Sequence, residues 1–169
     1  MNGVSFPPLD AETKVNERPH DHKDELRLWL RFLSCNVLIE GNIRRRLRDK
    51  FDMTLPRFDL LAQLDKASAG MKLGELSQRL MVSNGNVTGL VERLVAQGLV
   101  DRQVAANDRR SHLVKLTAEG RRTFRAMAAA HEIWIAEIFG ELTTGERAML
   151  MQLLAKVKTS AAKMTAAKA

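Results

Sequence analysis

Apolar residues recur at helical spacing in six stretches of the chain, and two short stretches between the fourth and fifth read as strands. From Lys23 to about Lys50, Leu26, Trp29, Leu30, Leu33, Val37, Ile43 and Leu47 predict one long helix. Leu28, Phe32, Cys35 and Ile39 widen its apolar stripe. A stripe so wide needs two neighbours, one of which can be another subunit. Thr54 is the expected N-cap of a second helix, with Pro56 in its first turn, where a missing N–H costs little. Phe58, Leu61 and Leu64 face inward there, and an end is expected near Ala69-Gly70.

Lys72 to Gln97 reads as two short helices around a tight turn. Leu73, Leu76 and Leu80 mark the first, and Val87, Leu90, Val91 and Leu94 the second. Ser83 is placed to cap the second helix. The other face of that helix carries Asn84, Asn86, Thr88 and Arg93, interleaved with Gly85 and Gly89. Glycine lowers helix propensity by about 1 kcal/mol against alanine, so two of them suggest close approach to something large. Asparagine pairs with adenine edges and arginine with guanine edges, which makes this a face suited to a DNA major groove. An ordinary helical hairpin with a solvated face is the plainer alternative.

Leu99 to Val104 and His112 to Leu116 predict a β-hairpin, joined by a polar turn from Ala105 to Ser111. Arg109 and Arg110 at its tip suit a phosphate backbone or a narrow minor groove, with Asp108 orienting an arginine. Thr117 to about Gly140 repeats Phe124, Met127, Ala128, His131, Ile135 and Ile138, and so predicts a second long helix. Thr143 to Glu146 has the pattern of a capping box opening a last helix. Met1 to His22 is polar, holds three prolines and is expected to be a flexible arm. Ala161 to Ala169 is expected to be a frayed tail.

Composition narrows the function classes. Lys and Arg total 27 against 20 Asp and Glu, a formal charge of +7, which favours a polyanionic partner. No apolar run approaches a membrane span and no signal pattern opens the chain, so a cytoplasmic protein without a membrane partner is expected. One cysteine excludes an internal disulfide. The histidines lack a ligand cluster, so no metal site is expected. There is no phosphate-binding glycine loop, no HExxH and no nucleophile beside a base, so no catalytic residue is assigned and an enzyme is not expected. Arg44, Arg45, Arg46, Arg48 and Lys50 complement the dipole at a helix C-terminus, or form a phosphate-binding patch.

Two motifs together, SNGNVTGLVERLVAQGLVDR from Ser83 to Arg102 and DRRSHLVKLTAEG from Asp108 to Gly120, resemble the multiple antibiotic resistance regulator (MarR) family. TLPRFDLLAQL, Thr54 to Leu64, resembles that family's second helix. The resemblance covers about Lys23 to Ser160. It implies a mainly α fold with a small β-hairpin wing: a winged helix-turn-helix over 54–116 and a helical dimerisation region over 23–53 and 117–160. The arm and tail are then 1–22 and 161–169.

The resemblance also implies a homodimer on a pseudo-palindromic double-stranded operator. Ser83 to Gln97 is then the recognition helix and Arg110 the wing-tip arginine, with Asp108 as its partner. Such regulators are usually repressors released by a small molecule, often an aromatic acid, and no other cofactor is implied. Trp29, Phe32, Asn36, Arg57, Phe58 and His131 are the pocket candidates. The SNGNVTGLV variant and the arginine-rich helix end are also similar to members sensing aryl-coenzyme A thioesters, whose phosphates Arg44 and Arg45 suit. A peroxide-sensing branch uses a first-helix cysteine held by tyrosines. Leu30 occupies that position here, Cys35 lies downstream of it, and the chain has no tyrosine. A redox sensor using Cys35, or a sequence-indifferent architectural DNA binder, remains the alternative.

Overall fold

The computed structural model describes Thr13, Glu17, residues 23–105 and residues 108–166, without the side chains of 104–112 and of 166. Apart from Thr13 and Glu17, whose backbones are helical, the expected arm Met1–His22 lies outside the described residues. The elements in order are α1 (Asp24–Phe51), α2 (Leu55–Asp65), β1 (Met71–Lys72), α3 (Leu73–Leu80), α4 (Asn84–Ala96), β2 (Val100–Ala105), β3 (Asp108–Leu116), α5 (Ala118–Ile138) and α6 (Thr144–Ala166). The fold is mainly α, with one small antiparallel sheet in the order β1-β3-β2.

Two compact units divide the chain, Met1–Ala130 and His131–Ala169. The core of the first gathers Leu60, Leu61 and Leu64 of α2, Leu76 of α3, and Val87, Val91 and Leu94 of α4, with Val100 and Val114 from the sheet. The inward faces read from the sequence are these faces, because one stripe per short helix is all that a small core accepts. Phe58 and Phe124 join the start of α2 to α5, their ring centroids 5.6 Å apart in a tilted arrangement. Arg121 of α5 adds an ion pair to Asp65 at 3.6 Å.

Several expectations are corrected. α2 stops at Asp65, not near Gly70, and the chain turns through bonds from Ala67 N–H to Leu64 O and Gly70 N–H to Ala67 O. Lys72 is a strand residue: Met71 pairs with Val114 and Lys72 with Leu113, which covers the second edge of β3. β3 begins at Asp108, so Asp108 to Ser111 belong to the hairpin's strand, not to a turn. Its pairing with β2 shifts register between Val104 and Ala105. The last helix continues through Ala166, because its alanines and lysines are strong helix formers.

The long stripe of α1 is only partly used within the chain. Ile43 and Leu47 are buried, while Leu26, Leu28, Trp29, Phe32, Val37 and Leu38 are exposed. Cys35 is exposed as well, and not packed. In the second unit, Trp134 is buried. Thr143 and Glu146 form the capping box. Thr143 N–H donates to Glu146 Oε2 at 2.7 Å, and Glu146 N–H donates to Thr143 Oγ1 at 3.3 Å. The Thr143 hydroxyl also donates to Glu146 Oε2 at 2.7 Å, and this bond first, then the one from Thr143 N–H, holds the Glu146 carboxyl below its ordinary pKa.

A close junction fixes the end of the hairpin to the start of α5. Thr117 N–H donates to Leu99 O at 3.1 Å, and the Thr117 hydroxyl donates to Gly98 O at 2.7 Å. The same hydroxyl accepts from Gly120 N–H at 2.9 Å, satisfying a free donor of the first helical turn. Gly120 therefore lies directly on the Leu99 backbone, and a Cβ there would come within 1.8 Å of Leu99 O. Gly120→Ala should destabilise the chain by about 1–3 kcal/mol despite alanine's better helix propensity, as overpacking does. A denaturant titration with an unchanged midpoint would show that the junction yields.

Candidate nucleic-acid interface

The turn between α3 and α4 is built from backbone bonds and one cap. Met81 closes α3 in the left-handed conformation, with φ 54 and ψ 38. Such a conformation costs a residue with a Cβ roughly 1–2 kcal/mol. Met81 N–H donates to Gln78 O at 3.3 Å and Val82 N–H to Ser77 O at 3.2 Å. The Ser77 hydroxyl donates to Val82 O at 2.7 Å. Ser83 Oγ then accepts from Asn86 N–H at 3.4 Å, so Ser83 is the N-cap that its position implied.

α4 buries Val87, Val91 and Leu94 and turns its other face outward. Asn84, Gly85, Asn86 and Arg93 are exposed, and Thr88 and Gly89 are half-buried. The Thr88 hydroxyl donates to Asn84 O at 2.9 Å, which leaves its oxygen free to accept. A Cβ added at Gly85 or Gly89 would meet nothing within 4 Å. Folding therefore does not require either glycine. Five of the sequence candidates, Ser83, Asn84, Asn86, Thr88 and Arg93, thus share one helix and its cap. Glu92, exposed beside Arg93, is an acceptor that the sequence reading passed over.

Asp108, Arg109 and Arg110 open β3, and their side chains lie outside those described. The far end of α4 is braced by Arg57. Its Nη1 donates to Gln97 Oε1, its Nε to Thr54 Oγ1 and its Nη2 to Asp52 O, each at 3.2 Å. This brace spans forty residues of sequence, so periodicity gave no sign of it.

The pocket candidates differ in exposure and in the bonds they make. Trp29 and Phe32 meet at 6.3 Å between centroids and are exposed, as is Asn36 one turn further along α1. Arg57 spends its guanidinium on the brace, and Phe58 is a core residue against Phe124. His131 is half-buried and belongs to the second unit. Arg44 pairs with Glu40 one turn back, and Arg45 is exposed. No group of three or more His, Cys, Asp or Glu side chains converges among the described residues. No described helix is long and apolar enough to cross a membrane.

The comparisons agree with this geometry. The MarR family profile matches residues 51–111, from the last residue of α1 into β3. Wild-type MarR from E. coli, in its apo form, is similar with a TM-score of 0.66 and 31% identity, over 73% of this chain and 90% of that one. The chain belongs to the MarR family. A MarR mutant from E. coli complexed with operator DNA is similar with a TM-score of 0.69 and 29% identity, over 79% of this chain and 96% of that one. The transcriptional activatory protein BadR of Rhodopseudomonas palustris is 29% identical over 142 residues, 81% of each chain.

Within this MarR-family chain the two glycines of α4 make a direct test possible. Gly89→Ala should stabilise the free protein by about 0.5–1 kcal/mol, because alanine loses less backbone entropy and fits the open space. The same substitution should weaken operator binding if the helix backbone approaches DNA closely. Thermal melts and binding titrations on one preparation measure both. Binding as tight as wild type would mean that nothing comes near Gly89.

Proposed function

We propose that the chain is a ligand-responsive transcriptional repressor that binds a pseudo-palindromic operator as a homodimer. The observation that carries this reading is the outward face of α4. Its hydrogen-bonding groups are held by a capped turn, and its glycines answer no need of the fold. Asn84, Asn86, Thr88 and Arg93 read base edges in the major groove, with Ser83 fixing the helix start. Arg109 and Arg110 on the hairpin meet phosphates or the minor groove, and Asp108 orients Arg110.

The homodimer is supported by the apolar side chains that α1 and α6 leave in solvent. α1 exposes Leu26, Leu28 and Trp29, and α6 exposes Met149, Met151, Leu153 and Val157. Apolar patches of this kind mark protein interfaces. In this reading the dimerisation region is 23–53 and 117–160, around a DNA-binding domain at 54–116.

The effector proposed is a small aromatic acid or its coenzyme A thioester. Trp29, Phe32 and Asn36 offer stacking surface and an amide on one side of α1, and Arg44 and Arg45 offer charge for phosphates. The operator is released because the effector binds better to a state in which the two recognition helices no longer match one DNA turn, about 34–36 Å. BadR's designation as activatory favours the opposite sign of regulation as the second reading.

Asn86→Ala or Thr88→Ala should cost roughly 1–3 kcal/mol at the operator and little on random duplex. Arg110→Ala should weaken both and lower the salt slope by about one. If Asn84, Asn86 and Thr88 all change to alanine without altering operator preference, α4 does not read the sequence. Calorimetry with aryl-coenzyme A thioesters and the matching free acids tests the effector. Binding of the free acid alone, indifferent to Arg44→Gln and Arg45→Gln, removes the thioester reading.

A further inference from the structure

Met81 is 92% exposed, more than any other described large apolar side chain. It also occupies the left-handed conformation that a glycine would hold without steric cost. The free chain gains no packing from this side chain in return for that cost. The direction of its Cα–Cβ bond is nevertheless fixed by the turn's backbone. The two backbone bonds to Gln78 and Ser77, the Ser77 hydroxyl on Val82 O and the Ser83 cap lock the turn from both sides.

Its surroundings differ from the exposed apolar faces of α1 and α6. Gln78, Arg79, Ser83 and Asn84 near it in the chain are exposed, its apolar neighbours Leu80 and Val82 are half-buried, and Met81 is the only exposed large apolar side chain from Leu73 to Leu94. The exposed apolar residues of α1 and α6, by contrast, lie among others of their kind. A partner that suits one apolar group within a polar surface is the DNA major groove. There the thymine 5-methyl stands alone among hydrogen-bonding edges. Methionine is unbranched and polarizable, and it adapts to such a small contact.

We propose that Met81 is a specificity-determining residue, its thioether side chain packing on a thymine 5-methyl at the edge of the groove that α4 enters. The proposal rests on the operator-reading role of α4 argued above. The sequence pattern could not show it, because Met81 falls outside both helical stripes and its φ is not legible from residue type.

The test starts from a duplex selected by the full-length protein from a library with a random central segment. Each thymine of that duplex is replaced in turn by deoxyuridine, which removes only the methyl group. Wild-type protein should lose affinity about fourfold at one thymine in each half-site, the loss expected for one buried methyl. Met81→Gly and Met81→Asn both keep the turn, since both residues accept positive φ. Each should bind the thymine duplex about fourfold more weakly and no longer distinguish thymine from deoxyuridine there. Indifference of the wild type to every replacement overturns the proposal, as does undiminished discrimination in both variants. If selection enriches no sequence at all, the operator-reading role of α4 fails and this proposal falls with it.

Discussion

The backbone of Leu99 carries more of this architecture than any side chain does. Its carbonyl accepts from Thr117 N–H, and Gly120 sits so close that even a methyl group is excluded. One hydroxyl, that of Thr117, holds Gly98 O and caps the first turn of α5. The last turn of α4 is thereby tied to the first turn of the long helix that follows the sheet. At the same end, Arg57 ties Gln97 back to the start of α2. α4 is therefore clamped at its C-terminal end by two independent sets of bonds. A surface that must hold side chains in register with base edges needs this kind of anchoring.

The N-terminal end of α4 follows a different logic. Its turn accepts a left-handed methionine, and its first turns accept glycines that nothing in the chain crowds. Each choice lowers the stability of the isolated protein. Each also leaves groups on one outward face that suit a large polar partner. Conflicts between local preference and fold are expected where function is built. They converge here on one end of one helix, which is why the proposed DNA contact lies there and not on the apolar flanks of α1 or α6.

Much of this was legible from the sequence, for reasons that are local. The stripes of α2 and α4, the Ser83 cap and the Thr143–Glu146 capping box depend on residues three or four apart, and periodicity reports such distances directly; in α5 the buried face runs through Phe124, Met127, Ala130 and Trp134, with Ala128, His131, Ile135 and Ile138 beside it. The two-residue strand β1 was hidden because its reason for existing is Val114, far along the chain. The extension of β3 to Asp108 was hidden in the same way, since pairing and not composition sets it. The Arg57 brace and the packing of Phe58 on Phe124 were not legible, because both follow from tertiary neighbours. The exposed half of α1 was read as a face to be covered, and within one chain it is not. The pattern specified that a surface needs a neighbour without saying which molecule supplies it.

The central claim is that α4, held by these clamps, reads base sequence and does not merely meet a polyanion. A fluorescence anisotropy titration of the full-length chain tests it most directly. One duplex would carry a palindromic site from a bound promoter, and the other the same bases shuffled, at the same length and salt. A preference of about a thousandfold or more for the palindrome is expected, the lower bound for specific recognition. Equal affinity for the two duplexes would contradict it.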